Sequence, residues 1–373
     1  MHFSRLSLLQ FRNYAELNLE LSPGINAFTG ANGSGKTNIL DALHYLAFTR
    51  GFRSSQDQQA VQEGEQYFFT NGTLHLEDAV ETIQCNFVKG KGKKILIGQA
   101  PLDRMSDHIG YIPLVAILPQ DTDLINGPAQ GRRQFMDMLI SQYDAAYLKH
   151  LILYNRLLSQ RNALLKLMGE QRYFDLEQVQ LYDEQLIPAG QVIFQAREKF
   201  LVEFKPVFDR FFRRIVADRE APSLRLRTQL AENSPEAWRS LFAEKMDKDR
   251  VNQYSSAGIH RDDLVLSIDD HSVRNFGSQG QQKTFVIALK LAQYELLKQH
   301  TQKPPLLLLD DLFDKLDRHR LGSIAEMLHL EIPGQVFLTD TSLEKVRDLF
   351  PTAPSRGIHF FEVNSGKVNP VSP

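Results

Sequence analysis

Near the start of the chain, Gly30-Ala31-Asn32-Gly33-Ser34-Gly35-Lys36-Thr37 fits the spacing G-x-x-x-x-G-K-[ST]. Ile25-Asn26-Ala27-Phe28 before it reads as a short buried strand, and Asn38 to Ala47 after it carries apolar residues at helical spacing. Strand, glycine-rich turn and helix N-terminus together suit a polyphosphate. Glycines let backbone N–H groups converge at dihedral angles that a Cβ closes off, and the helix end adds partial positive charge. In that reading the backbone from Gly30 through Ala31, Asn32, Gly33 and Ser34 to Gly35 cradles phosphate. Lys36 reaches the β- and γ-phosphates, and the Thr37 hydroxyl ligands Mg²⁺. The competing reading is a glycine-rich turn with no ligand.

A second stretch answers the first. Leu306-Leu307-Leu308-Leu309 is a continuous apolar run, as expected of a parallel strand covered on both faces, and it ends in Asp310-Asp311. Carboxylates where such a strand opens onto a ligand crevice have the form of a Walker B site. Asp310 would hold Mg²⁺ through water, and Asp311 would orient or deprotonate the water attacking ATP. A helix N-cap after a buried strand is the alternative.

Ser278-Gln279-Gly280-Gln281-Gln282-Lys283 stands at the start of an amphipathic helix expected over 284–298. A hydroxyl, free N–H groups and a helix dipole there make a second phosphate-binding surface. It resembles an ABC-type signature, in which Ser278, Gly280 and Gln281 would close in trans on a partner's γ-phosphate. An ordinary helix start is the bland reading. Asp314-Lys315-Leu316-Asp317 falls where the dimer-contacting D-loop of such ATPases lies.

With 373 residues the chain has room for two or three domains, or one large head with an insertion. No apolar run approaches the roughly 20 residues of a membrane span, and the N-terminus lacks a signal peptide's apolar core. A single cysteine, Cys85, precludes an internal disulfide and argues for a reducing cytoplasm. Net charge is −2, so any nucleic-acid contact must come from local basic patches.

Residues 1–29 read as a β-meander, followed by strands at 67–69, 74–76, 83–88, 95–97 and 114–118 in a mostly antiparallel lobe. From about Gln130 the period becomes helical, with a second helical pattern over 174–217 interrupted near Pro188. Strands recur at 224–230, 264–268 and 335–339, and the tail from Gly366 is expected to fray. The implied domains are a head built from 1–128 and 255–373, and a mainly helical arm over 129–254.

Beyond these motifs the chain resembles the RecF family of bacterial recombinational-repair ATPases. The resemblance rests on Leu9-Gln10-Phe11-Arg12-Asn13-Tyr14, Thr49-Arg50-Gly51-Phe52-Arg53, Pro128 with Arg132-Arg133 and Phe135-Met136-Asp137, Gln160–Lys166 and Gly258-Ile259-His260-Arg261-Asp262-Asp263-Leu264. It implies an α/β, ABC-type (SMC-like) P-loop ATPase head formed by both chain ends, with an inserted helical arm or lid. It further implies ATP and Mg²⁺ as cofactors, an ATP-dependent homodimer that binds gapped or junction DNA, and RecR and RecA as pathway partners, with no membrane. Slow, DNA-stimulated hydrolysis would act as a switch. Arg12 and Asn13 would border the nucleotide.

The chain departs from the family pattern in places. Gln120 of Pro119-Gln120-Asp121 stands at the Q-loop position, where many relatives carry Glu. Thr339-Asp340 stands where transporter ATPases place a switch histidine.

For DNA, Lys89, Lys91, Lys93 and Lys94 sit on an expected hairpin tip, with Arg132, Arg133, Arg210, Arg213 and Arg214 as further candidates. A solvated turn or pairing with nearby acids would explain the same residues. Two rival classes remain open: the nucleotide-binding subunit of a membrane transporter, and a scaffold with a vestigial ATP site.

Overall fold

The computed structural model describes residues 1–54, 56–217, 219–312, 317–350 and 357–371. Fifteen strands are assigned among them. They are β1 (His2–Phe11), β2 (Tyr14–Glu20), β3 (Ile25–Thr29), β4 (Tyr67–His75), β5 (Val80–Val88), β6 (Gly92–Ile97), β7 (Ala100–Pro101) and β8 (Leu114–Ile117), then β9 (Pro222–Arg227), β10 (Asp263–Ile268), β11 (His271–Ser272), β12 (Leu306–Leu309), β13 (Val336–Asp340), β14 (Ile358–Asn364) and β15 (Lys367–Val371). The helices are α1 (Lys36–Phe48), α2 (Asp123–Asn126), α3 (Ala129–Ser141), α4 (Ala145–Glu170), α5 (Leu176–Val216), α6 (Pro235–Asn252), α7 (Val273–Phe276), α8 (Gln279–Thr301), α9 (Arg318–Leu330) and α10 (Leu343–Leu349).

Two compact units emerge. The first comprises 1–121, 214–217 and 283–373, and the second 122–213 and 218–282. The expected division put 255–282 with the head. Here those residues join the second unit, because β10 pairs antiparallel with β9 along its whole length.

In the first unit an antiparallel sheet runs in the order β2-β1-β4-β5-β6-β7. A second sheet runs β15-β14-β3-β13-β12-β8, parallel except for β15. Helix α1 packs against strands of both sheets. Every residue of it except Thr37 is buried, which explains its weak amphipathicity: a helix walled in on all sides has no polar face. Gln335 also ties the sheets together. Its Oε1 accepts from the Phe3 amide at 2.8 Å, and its Nε2 donates to the carbonyls of Phe3 and Ser22.

Several expectations need correcting. The meander stops after β2, and β3 leaves it for the parallel sheet. Strand β8 pairs parallel with β12 and is no part of the antiparallel lobe. β10 belongs to a three-stranded sheet, β11-β10-β9, in the second unit, and not to the last-third α/β layer. The two short strands expected at 67–76 are one strand through Gly72, where a Cβ would fall 2.6 Å from the Phe3 ring. Helix α5 runs unbroken through Pro188 and Pro206. The tail pairs with β14 from Lys367 to Val371 instead of fraying.

The second unit is held by buried ion pairs among its helices. Arg161 on α4, fully buried, donates to Asp183 on α5 (2.6 Å), Asp249 on α6 (2.7 Å) and Ser255 (2.8 Å). Burial pushes the Asp183 carboxyl up even with Arg161 against it. Arg197 on α5 donates to Asp137 (2.8 Å) and Asp262 (2.9 Å). His260, its pKa held down to about 4 by burial, lies between the Tyr154 hydroxyl and the Ser255 carbonyl. Removing one partner of such a pair leaves a buried charge uncompensated. Arg161→Ala should therefore destabilise the protein by roughly 3–5 kcal/mol, read as a lower denaturation midpoint in urea. A change below about 1 kcal/mol would contradict this account of the core.

Candidate functional site

Strands β3, β13 and β12 lie side by side and parallel, so their C-terminal ends open on one edge of the sheet. The glycine-rich loop follows β3. Gly30, Gly33 and Gly35 take φ of 150°, 78° and 117°, in the region that favours glycine. Space is as restrictive as dihedral angle at two of them. A Cβ on Gly30 would meet the Val363 carbonyl oxygen at 2.2 Å, and one on Gly35 would meet Asn13 Nδ2 at 2.5 Å. Tyr14, its phenol kept protonated by burial, donates to the Gly35 carbonyl at 3.1 Å. Asn13 Nδ2 donates to the Ser34 carbonyl at 3.1 Å.

Lys36 folds back over the loop, its Nζ 2.7 Å from the Gly30 carbonyl and 2.9 Å from that of Ala31. Thr37 Oγ1 donates to Asp310 Oδ1 at 2.8 Å, joining residues 273 positions apart in the chain. The same carboxylate oxygen accepts from Thr339 Oγ1, also at 2.8 Å. Thr339 Oγ1 in turn accepts from the Asp311 amide at 3.0 Å. Asp311 itself has φ of 45°, a left-handed conformation that Asp tolerates better than most residues. One threonine on the middle strand thus braces the Asp310 carboxylate and the Asp311 backbone.

The residues fit a magnesium nucleotide. Ser34 Oγ is buried with no hydrogen-bond partner, inside a turn whose glycines leave the backbone open. No group of three or more His, Cys, Asp or Glu among the described residues could hold a metal alone. Thr37 and Asp310 bring two oxygens together, the complement Mg²⁺ would take from protein when phosphate and water supply the rest.

Arg12 fills a supporting role. It forks onto Asp41 Oδ2 at 2.7 and 3.0 Å and donates to the Gln59 carbonyl, so its charge is held beside α1. With Asn13, Asn38 and Arg53 it lines an open cleft. Asn38 and Arg53, joined at 2.8 Å, were not among the expected site residues; their place in the quoted N-terminal stretches was the available signal. Gln120 is exposed on a 3-10 turn after β8, the strand beside β12. Asp121 anchors that turn through the Leu118 amide (2.7 Å) and Lys290 (2.9 Å).

In the second unit, Ser278 is exposed and caps α8. Its hydroxyl accepts from the Gln281 amide at 3.2 Å, while Gln281 Oε1 accepts from the Ser278 amide at 2.8 Å. Gly280 follows in the first turn of α8. Asp317 caps α9 through the Arg320 amide (3.0 Å), which holds its carboxyl below the usual range. Asp314 lies outside the described residues.

The basic candidates divide. Lys89 donates to the Glu65 carbonyl and Lys93 pairs with Asp57 at 2.8 Å, whereas Lys91 and Lys94 are exposed on the hairpin. Arg132 is corrected as a DNA contact. It is buried, forked onto Asp263 at 2.7 and 3.1 Å and bonded to the carbonyls of Leu124 and Gly127. Arg133 donates to the Asp262 carbonyl at 2.7 Å. Arg213 and Arg214 pair with Asp209 and with Glu326 and Glu331, and Arg210 lies over the Phe211 ring.

Known proteins match this arrangement. The family model described as the RecF/RecN/SMC N-terminal domain matches residues 2–349. A DNA replication and repair protein RecF from Flavobacterium johnsoniae is 43% identical over 92% of this chain and 95% of its own length. Its counterpart from Cytophaga hutchinsonii is 40% identical over 100% of this chain and 98% of its own. A solved structure of the recombination mediator protein RecF with ATP, of the RecFOR pathway, superposes with a TM-score of 0.88 at 27% identity, covering 100% of this chain and 98% of that one. The Smc head domain from Pyrococcus furiosus, at 16% identity and a TM-score of 0.56, shares the fold.

Thr339 generates the sharpest test of this geometry. Thr339→Val keeps the shape but removes the donor to Asp310 and the acceptor for the Asp311 amide. Leaving one buried polar group unpaired costs about 1–3 kcal/mol. ATP hydrolysis should fall by on the order of tenfold or more while the far-ultraviolet dichroism stays unchanged. Wild-type turnover in this variant would show that the brace is idle.

Proposed function

The chain belongs to the RecF family, within the RecF/RecN/SMC N-terminal-domain group, and from that membership we propose an ATP-operated DNA replication and repair protein. Family and fold are those of SMC-like ABC ATPases, and the observation that carries ATP chemistry to this chain is the Thr37–Asp310 hydrogen bond under the glycine loop. A phosphate loop and a Walker B carboxylate belong to one site only if they touch, and these do.

ATP is the substrate. The Gly30–Gly35 backbone and Lys36 bind its phosphates, with Lys36 exchanging two carbonyls for phosphate oxygens. Mg²⁺, held by Thr37 and Asp310, would neutralise charge on the β- and γ-phosphates. Asp311 orients the attacking water, and Gln120 reports on the γ-phosphate from the neighbouring strand end. Asp is shorter than the Glu common at this position in ABC ATPases and reaches that water less well, which suits slow turnover and use as a switch.

Ser278, Gly280 and Gln281 act on the nucleotide of a second copy, with Asp314 and Asp317 at the dimer contact. Two heads joined by ATP hold gapped or junction DNA, DNA stimulates hydrolysis, and hydrolysis opens the pair. RecR and RecA are the pathway partners that the family implies. The exposed Ser278 and the absence of acidic residues from the first turn of α8 support a phosphate-facing role for that helix end.

Two variants test this reading. Lys36→Ala should abolish ATP binding in equilibrium dialysis. Ser278→Arg should keep monomer ATP binding and lose ATP-dependent dimerisation in sedimentation velocity. A Ser278→Arg protein that still dimerised with ATP would refute the trans role.

A further inference from the structure

The second unit carries a basic surface that none of the motifs predicts. Its sheet, β11-β10-β9, is two-faced. Leu224 on β9 and Leu264, Leu266 and Ile268 on β10 are buried on one side. Ser223, Arg225 and Arg227 on β9 are exposed on the other, opposite Ser267, Val265 and Asp263 of β10. An antiparallel sheet commonly buries one face and solvates the other. What is unusual is the charge on the solvated face.

Four guanidinium groups gather there against one carboxylate. Arg132, Arg227 and Arg274 line a cavity of about 170 Å³ with Asp263 and Ser272, and Arg225 extends the row along β9. Asp263 is already satisfied by the buried Arg132 fork, and Arg227 adds a third contact at 3.0 Å with two-thirds of its side chain still exposed. Arg225 and Arg274 are exposed, with no ion pair among the described residues. The nearest other acids on these strands, Asp269 and Asp270, sit in the turn beyond β10, and Asp269 accepts from the Ala221 amide there.

We propose that this face binds the sugar-phosphate backbone of DNA, with Arg225, Arg227 and Arg274 as phosphate contacts and Arg132 positioning the cluster through Asp263. Guanidinium groups match phosphate oxygens in pairs. Residues two apart on a strand lie about 7 Å apart, close to twice the 3.4 Å axial charge spacing of one DNA strand. A protein-docking surface would instead centre on aromatic or large apolar anchors. Among the described residues of β9 and β10, the one apolar side chain on that face is a half-buried Val265, with the exposed Phe276 of α7 at its margin. Contacts to phosphate carry no sequence information, so binding through these arginines should be indifferent to base sequence.

This inference rests on the DNA-binding reading above, and the experiment separates the two. Fluorescence anisotropy titrations with duplex, gapped and single-stranded DNA across a salt series would compare the wild-type protein, the Arg225→Gln/Arg274→Gln protein and a Lys91→Gln/Lys94→Gln protein. The arginine variant should bind more weakly, and its log–log salt slope should be shallower by about 1.8, at 0.9 per lost phosphate contact. Its ATP binding and thermal midpoint should match wild type, because neither arginine makes an ion pair among the described residues. Unchanged slope and affinity in that variant, with wild-type DNA binding intact, would overturn the assignment of this face. If the wild-type protein bound no DNA under any condition, the functional reading itself would fall.

Discussion

A single register in a parallel sheet holds this molecule's chemistry together. Strand β13 lies between β3 and β12, pairing Thr339 with Phe28 on one side and Leu338 with Leu309 on the other. The glycine loop therefore leaves the sheet two strands from the carboxylates, at the same edge. Thr339 is the residue whose side chain fills that interval, reaching Asp310 and the Asp311 amide. Parallel strands need long crossovers, which is why the two halves of the site can lie at opposite ends of the sequence. A one-residue slip of β13 would turn Thr339 to the opposite face of the sheet and separate the pair.

Much of this was legible because the motifs report backbone geometry. Gly30, Gly33 and Gly35 occupy dihedral angles that make them irreplaceable, and Leu306–Leu309 is apolar at every position because both faces are covered. What could not be read was partner choice. The alternation in Leu264-Val265-Leu266-Ser267-Ile268 marks a half-buried strand without saying whether it joins the head or pairs with β9. Leu114–Ile117 looked like its antiparallel predecessors, although three of its four residues are buried, which an edge strand under a helical layer shares with a central one. The strands expected at 67–69 and 74–76 join through Gly72, whose missing Cβ lets Phe3 pack against the strand. Thr339 drew notice only as an unexplained departure from a histidine position, since nothing local shows which strands flank it.

The arginines teach a related lesson. Arg132 and Arg161 fall within stretches that resemble family signatures, Arg197 falls outside them, and all three are buried in ion pairs within the second unit. Charge alone made Arg132 a candidate for DNA. A buried guanidinium needs a carboxylate and partners for its remaining N–H groups, and the acids that supply the charge, Asp183, Asp249, Asp262 and Asp263, lie 22 or more residues away in sequence. Such pairs add little net stability over apolar packing, but they punish any arrangement that separates them. Arg161 fixes how α4, α5 and α6 meet, Arg197 ties α5 to α3, and Arg132 ties α3 to β10. The arginines left over, Arg225 and Arg274, drew no attention from motif reading because they lie outside every recognisable pattern.

The site's own hydrogen bonds suit the proposed use of ATP as a switch. Lys36 bonds to two loop carbonyls, and Thr37 and Thr339 bond to Asp310, so most of its polar groups are satisfied by neighbours. Binding a magnesium triphosphate exchanges those bonds for stronger, charge-assisted ones, and only the difference contributes to affinity. Under the proposed function, hydrolysis would restore the internal set and leave these groups paired, so no unpairing penalty would hold product in place. Ser34 Oγ is the exception, buried and without a partner. A phosphate oxygen within its reach would be pure gain, so under the proposed function it would bias the exchange toward the nucleotide-bound state.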